Sequence, residues 1–183
     1  MLQNKDTEPL FLTEATASKQ SYSQLLHKIV DDITASISDG KAYAGLSPQD
    51  LKKAIHVENI LPEEGIGLKN VPELFSSKIL PYFLRTTSTD YMAHLHGPAL
   101  IETIAAELIL STFNQSMDSW DQSPVATEIE LEVIDALCKL FGYKEGSDGV
   151  FTSGGSQSNL SGIMLARDWF CNTKLNYDVK KFG

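Results

Sequence analysis

The sequence predicts a mainly α-helical chain with a single strand near its end. Apolar residues recur at three- and four-residue spacing in several successive segments, the pattern of amphipathic helices. One short apolar run, Val150 to Ser153, leads directly into a glycine pair and a further helical segment, which indicates a strand. Since one strand cannot form a sheet, we expect these 183 residues to be a fragment of a longer protein.

The helices can be assigned in order after a polar arm, residues 1–20, which has no apolar stripe. The six predicted helices cover 22–40, a segment beginning at 47, 71–83 with a break near Pro81, 99–113, 127–141 and 156–170. Ser47, Pro48 and Asp50 have the spacing of a helix start, and Gly142 marks a helix end. The segment 99–113 has few charges, so we expect that helix to be buried.

In the last predicted helix, the apolar residues are expected to point inward; they are Leu160, Ile163, Met164 and Leu165. Two segments between helices lack helical periodicity. Residues 85–98 are predicted to be extended chain and loop, and residues 114–124 a polar loop that carries one tryptophan.

Composition excludes several partners. A net charge of −9 argues against nucleic acid and against an anionic membrane surface. No apolar run approaches the roughly 20 residues that a membrane-spanning helix needs, and the first residues lack the layout of a signal peptide. Cys138 and Cys171 form no CxxC motif, and Cys138 is predicted to be a buried thiol. These features predict a cytoplasmic protein.

The glycine pair has the chemistry of an anion site. Gly154 and Gly155 lack the Cβ atoms that would block close approach, and the next helix would present free N–H groups and its positive dipole end. Ser156 adds a hydroxyl donor, and Ser158 or Asn159 a further polar contact or cap. The alternative is a tight strand-to-helix turn with a capped helix and no ligand.

Two loops carry further candidate residues. His94 and His96, with Asp90 nearby, lack a third strong ligand, so a metal site is not favoured. They are either polar loop residues or the lining of a pocket. Asp118, near Trp120 and Asp121, belongs either to a surface turn or to a wall that binds an amine through charge and an aromatic face.

Several segments resemble the group II pyridoxal-phosphate decarboxylases. The matching segments are 123–130, 137–142 and the run from Gly149 to Leu160, in the order found in that family. The runs 93–98 and 114–124 resemble most the bacterial subgroup that acts on L-2,4-diaminobutyrate. The resemblance covers about residues 70–170.

The resemblance implies the fold-type I, aspartate-aminotransferase-like architecture and a cytoplasmic homodimer with interlocked N-terminal segments. Residues 1–20 would be an arm, 21–122 the helical dimerisation segment and 123–183 the incomplete start of the α/β large domain. The cofactor would be pyridoxal 5′-phosphate. Its binding residues would be Gly154, Gly155, Ser156 and Asn159, and the substrate-binding residues would be His94, Leu95, His96 and Asp118.

The family's catalytic groups have no counterpart in this sequence. No lysine here stands in the motif of the Schiff-base lysine, which would lie downstream of Gly183, so we expect the fragment alone to be inactive. The full-length enzyme would be a carboxy-lyase that converts L-2,4-diaminobutyrate to 1,3-diaminopropane. The alternatives are decarboxylation of glutamate, ornithine, lysine or an aromatic amino acid, and a non-catalytic dimerisation segment.

Overall fold

A computed structural model describes residues 10–37 and 41–182. Within those ranges the chain forms α-helices and short 3₁₀ turns, and no strand. The helices are α1 (Thr16–Ser36), α2 (Pro48–Ala54), α3 (Val71–Lys78), α4 (Ile101–Phe113), α5 (Pro124–Leu140), α6 (Gly155–Lys174) and α7 (Val179–Phe182). The chain divides into two compact units after Leu100, so α1 to α3 belong to the first and α4 to α7 to the second.

The first unit is built on the contact between α1 and α3. Ser76 on α3 donates a 2.8 Å hydrogen bond to Oδ2 of Asp32 on α1. Lys28, one turn earlier on α1, donates to Oδ1 of the same carboxylate and forms an ion pair with it. The Asp32 side chain is only 15% exposed, so both partners compensate a carboxylate that has lost most of its water.

Helix α1 begins earlier than predicted. It starts at Thr16, inside the segment predicted as an arm, whereas apolar periodicity placed the start at Tyr22. Ser18 is 3% exposed; its hydroxyl donates to the carbonyl of Phe11 and accepts from the N–H of Thr13, both at 2.8 Å. This polar anchor is invisible to a search for apolar stripes. The predicted helix end at Gly40 lies outside the described residues.

The predictions for α2 and α3 are confirmed. Ser47 caps α2, since its hydroxyl accepts from the N–H of Asp50 at 3.2 Å and donates to that carboxylate at 2.7 Å. Helix α3 ends at Lys78 and is followed by a 3₁₀ turn at Leu80–Tyr82, which places the break where Pro81 requires it.

In the second unit the helices are correctly predicted but their burial is not. Helix α4 has no buried residue, against the expectation of a buried helix. The apolar residues of α6 that were predicted to point inward are also exposed; the fractions are 59% for Leu160, 68% for Ile163, 45% for Met164 and 72% for Leu165. Cys138, predicted to be buried, is half-buried. A stripe of apolar residues predicts a helix, but those residues are buried only where another element covers them.

The predicted strand at Val150–Ser153 is wrong for the described chain. Val150 is 72% exposed, and the N–H of Phe151 donates to Oε1 of Glu130 on α5 at 3.3 Å. A strand exists only by pairing with a neighbour, and no second strand occurs in the described residues. The segment is therefore non-regular chain that one carboxylate ties to α5.

The chain exposes much more surface than a folded monomer of its mass. Its accessible surface is 16026 Å² for 20.2 kDa. Surface–mass scaling gives about 8,800 Å² for one domain of this mass and about 10,600 Å² for two separate domains of half the mass. Ile134, 7% exposed, is the buried apolar residue of the described core. Both units thus present apolar faces of the kind that bind other protein surfaces.

The Asp32 contacts predict an acid-sensitive first unit. The hydrogen bond from Lys28, and then that from Ser76, lower the pKa of Asp32 below its ordinary value of 3.8. Because the folded-state pKa is depressed, this stabilisation is present above pH 3.8 and is lost as the pH falls through the folded-state pKa. We expect Asp32→Asn to lower the free energy of unfolding at neutral pH and to flatten its decline in acid, measured by urea unfolding of the helical circular-dichroism signal.

Asp31→Asn is the matched control, since Asp31 is the exposed neighbour on the same helix. It should leave the acid decline in place. An equal flattening in both variants would contradict the role assigned to Asp32.

Candidate functional site

The turn that leads into α6 is open on its outer side. Gly154 is in extended conformation, with φ 160° and ψ 174°, and Gly155 is the first residue of the helix. A Cβ atom built on either glycine would meet no heavy atom within 4 Å. The space in front of this helix can therefore admit a ligand close to the backbone.

Thr152 and Ser158 hold the carbonyl of Gly154. The Thr152 hydroxyl donates to it at 3.1 Å and the N–H of Ser158 at 3.0 Å. The two hydroxyls lie 2.6 Å apart. Since the single proton of Thr152 goes to Gly154, the hydroxyl of Ser158 must be the donor in that pair. Ser158 is thus committed inside the turn and is not a spare donor for a ligand.

Gln157 holds the other end of the turn. Its side-chain oxygen accepts from the N–H of Ser153 at 3.1 Å and from the hydroxyl of Ser153 at 2.6 Å. Sequence reasoning singled out neither Gln157 nor Thr152 as a functional residue. A glutamine at the third position of a helix, reaching back over its start, is one half of a capping box, and that pattern was available as a signal.

Once Thr152, Ser158 and Gln157 have made these hydrogen bonds, several donors at the start of α6 are still available to a ligand. In the part of the chain that the structure describes, the N–H groups of Gly155, Ser156 and Gln157 and the hydroxyl of Ser156 have no acceptor. No acidic residue lies in the first turn of α6. Four free donors at the positive end of a 20-residue helix fit an anion of phosphate size. Asn159 is exposed one turn after Gly155, on the same face of the helix.

Asp118 is the free carboxylate of its loop. The nearby Asp121 accepts from Ser119 at 2.6 Å, and Glu128 accepts from the indole N–H of Trp120 at 3.0 Å. Asp118 is exposed and its carboxylate has no hydrogen bond or ion pair within the described ranges. Of the acidic groups Asp118, Asp121 and Glu128, Asp118 alone therefore has both carboxylate oxygens without a hydrogen-bond partner in the described chain.

His94, Leu95 and His96 lie in the first unit, in the loop between α3 and α4. His94 and Leu95 both have left-handed backbone conformations, with φ of 66° and 48°. That conformation costs a residue other than glycine about 1–2 kcal/mol, and such strain is concentrated at functional sites. Leu95 is fully exposed and His96 is exposed.

His94 also lines a cleft of about 420 Å³. Tyr43, Tyr82, Tyr91 and Asp90 share this lining. The Tyr91 hydroxyl oxygen is buried and has no hydrogen-bond partner among the described residues. The cleft thus combines aromatic rings with a carboxylate, in accord with the pocket-lining interpretation of His94.

Other site types find no support in the described residues. The described residues include no group of three or more His, Cys, Asp or Glu side chains placed to hold a metal ion. No helix among them has both the length and the apolar character to cross a membrane. Both cysteines are free.

Comparison with known proteins identifies the family. Residues 48–179 match the family described as "Pyridoxal-dependent decarboxylase conserved domain". The chain belongs to this family, which confirms the membership predicted from the sequence. The family's cofactor is pyridoxal phosphate, whose phosphate group is the kind of anion that the glycine turn fits.

The chain is similar to L-2,4-diaminobutyrate decarboxylases. It is 38% identical over 148 residues to that of Acinetobacter baumannii and 38% identical over 143 residues to that of Rhizobium meliloti (strain 1021). The matches cover 81% and 78% of this chain but only 29% and 28% of those relatives. The chain thus spans less than a third of the length of the curated relatives.

A solved structure confirms the predicted fold class. It is the glutamate decarboxylase domain of diaminobutyrate-pyruvate transaminase and L-2,4-diaminobutyrate decarboxylase from Vibrio parahaemolyticus. The TM-score is 0.85 at 33% sequence identity, and the match covers 94% of this chain and 38% of that one.

Proposed function

We propose that this chain supplies the N-terminal part of a pyridoxal-phosphate decarboxylase that converts L-2,4-diaminobutyrate to 1,3-diaminopropane and carbon dioxide. The observation that carries the cofactor role is the set of four free donors at Gly155, Ser156 and Gln157. The names of the relatives and the free carboxylate of Asp118 support the substrate.

Gly155 and Ser156 would hold the cofactor phosphate through backbone N–H groups and the Ser156 hydroxyl, Gly154 would leave room for its close approach, and Asn159 would lie one turn further along the same face. The bound cofactor supplies an electron sink for the electron pair left by loss of carbon dioxide. The lysine and aspartate that this chemistry requires have no counterpart in the sequence of this chain, so its own contribution would be binding and orientation.

Asp118 would bind the second ammonium group of the substrate, and His94, Leu95 and His96 would line the substrate pocket. A carboxylate without an internal partner offers a full charge to an ammonium ion. A diamino acid can use that charge, whereas glutamate would be repelled by it. This contrast is the physical reason to prefer a diamino substrate.

The exposed apolar faces support a homodimer as the working assembly. Val30, Ile33 and Ile37 are 58%, 40% and 50% exposed, and their spacing places them on one face of α1. We assign the segment 21–122 to dimer contact and 123–183 to the start of the cofactor-binding domain. Residues 1–20 are assigned to an arm, whose last five residues form the start of α1. The two free cysteines suit a reducing, cytoplasmic setting.

The same exposed faces favour a second candidate function, a non-catalytic dimerisation segment. It requires only apolar surface and no cofactor. The other alternative keeps the chemistry and changes the amino acid to ornithine, lysine, glutamate or an aromatic amino acid.

Release of carbon dioxide tests the proposed reaction. The intact protein that carries this chain should be assayed with pyridoxal phosphate and, separately, with 2,4-diaminobutyrate, ornithine, lysine, glutamate and aromatic amino acids. We expect a clear preference in kcat/KM for 2,4-diaminobutyrate. Preference for another amino acid would overturn the substrate assignment, and no release from any of them would favour the non-catalytic function.

The carboxylate of Asp118 gives a sharper test of specificity. We expect Asp118→Asn to raise the KM for 2,4-diaminobutyrate by about tenfold, since a charge-assisted hydrogen bond to an ammonium group contributes about 1.5–3 kcal/mol before solvent screening. The KM for a monoamino substrate should change little. Asp121→Asn is the matched control, because Asp121 already accepts from Ser119; an equal effect in both variants would contradict the assignment.

The α1 face predicts an interface. Ile33→Asp should shift the intact protein from dimer toward monomer in sedimentation equilibrium, because it places a charge in the apolar contact. Gln24→Asp adds the same charge at an exposed position of α1 that lies off this face and should leave the dimer intact. A dimer that tolerates both changes equally would place the interface elsewhere.

A further inference from the structure

The peptide between Gly154 and Gly155 decides where one phosphate donor points. A trans peptide is planar, so its carbonyl and its N–H point in opposite directions. Fixing the carbonyl of Gly154 therefore fixes the N–H of Gly155. With glycine on both sides, no Cβ atom restricts rotation of this peptide, so its orientation depends on hydrogen bonds.

That carbonyl is held from two sides. The bond from the N–H of Ser158, at 3.0 Å, has the ordinary spacing of an α-helix and would form with any residue except proline at position 158. The bond from the Thr152 hydroxyl, at 3.1 Å, comes from outside the helix and depends on the side chain. The hydroxyl of Ser158, 2.6 Å from that of Thr152, orients it toward the carbonyl.

We propose that Thr152 is a positioning residue for the phosphate group: its hydroxyl locks the Gly154–Gly155 peptide and so points the N–H of Gly155 at the anion. The inference rests on the proposed function, in which this turn holds the cofactor. Thr152 itself has no proton left for the phosphate, because it donates that proton to Gly154. Its effect on binding would be exerted through the backbone.

The hydrogen bonds of Gln157 go to Ser153 and not to the Gly154–Gly155 peptide. Thr152 is therefore the side chain that restrains this peptide. Gln157 fixes Ser153, whose N–H and hydroxyl both donate to its side-chain oxygen. The bond from the Ser153 N–H restrains the Thr152–Ser153 peptide, two peptides before the one between Gly154 and Gly155. Loss of the Thr152 hydroxyl would thus leave the Gly154 carbonyl with only the bond from the Ser158 N–H, while Ser153 stays held by Gln157.

The test is a pair of substitutions with opposite expectations. Thr152→Val keeps the shape of the side chain and removes the hydroxyl, whereas Thr152→Ser keeps the hydroxyl. Binding should be measured on the intact protein by titration with pyridoxal phosphate and with pyridoxal, which lacks the phosphate. We expect Thr152→Val to weaken pyridoxal phosphate binding by about tenfold, the size of one well-placed hydrogen bond. Binding of pyridoxal should stay within about twofold, and Thr152→Ser should restore the affinity for pyridoxal phosphate.

A change that is merely structural would lower both affinities together and would be accompanied by a lower thermal midpoint. If the wild-type protein binds pyridoxal phosphate more tightly than pyridoxal and Thr152→Val keeps that preference, the role of Thr152 is wrong and the proposed function stands. If the wild-type protein shows no such preference, the proposed function fails and this inference with it. Should Thr152→Val fail to fold, Ser158→Ala is the second variant, and it should weaken pyridoxal phosphate binding selectively but by a smaller factor.

Discussion

Apolar surface that this chain cannot bury by itself is the constraint on which the rest of the structure depends. Helix α4 has the composition of a core helix, yet Ile101 and Phe113 at its two ends are 82% and 69% exposed. Helix α4 has no buried residue, so its apolar side chains give only part of the roughly 25 cal/mol per Å² that burial would provide. Burial of these side chains against other protein surface would add the missing stabilisation.

Because burial is incomplete, the local geometry depends largely on polar contacts. Asp32 joins α1 to α3, and Glu130 ties the segment before the glycine turn to α5. The turn itself is braced by Thr152 and Gln157. Each of these bonds contributes about 1 kcal/mol, so they define positions more than they supply stability. A site built on such braces can be formed correctly before the surfaces around it are covered.

The sequence predicted the helices well, because helix formation is a local property. Ser47, Pro48 and Asp50 place the start of α2, and Gly142, with φ 73°, follows α5 as the glycine of a helix end. Burial was predicted poorly, since it depends on which element covers a face. The strand at Val150 failed for the same reason, as a strand needs a partner that a local pattern cannot supply. The start of α1 was missed because the side-chain bonds of Ser18 join segments without an apolar stripe.

For the candidate site, the sequence singled out the glycine turn and Ser156 as candidates, but not the side chains that orient them. Free N–H groups follow from the start of any helix, whereas the direction of one peptide depends on a hydroxyl two residues away in Thr152. The sequence also could not predict which carboxylates near Trp120 have a hydrogen-bond partner, since Ser119 donates to Asp121 and Trp120 to Glu128. All the site roles stay predictions; they are those of Gly154, Gly155, Ser156, Asn159, His94, Leu95, His96 and Asp118.

The electrostatics of the turn show what it can contribute to a phosphate and what must come from elsewhere. A helix N-terminus is equivalent to roughly +0.5 of an elementary charge, while a phosphate ester carries about −1.5 to −2 at neutral pH. Residues 149–160 contain no lysine or arginine. Hydrogen bonds from Gly155, Ser156 and Gln157 can spread the remaining charge but cannot cancel it. A phosphate held here would therefore need at least one further donor or cation from another part of the assembly, and the turn is best understood as one wall of the cradle.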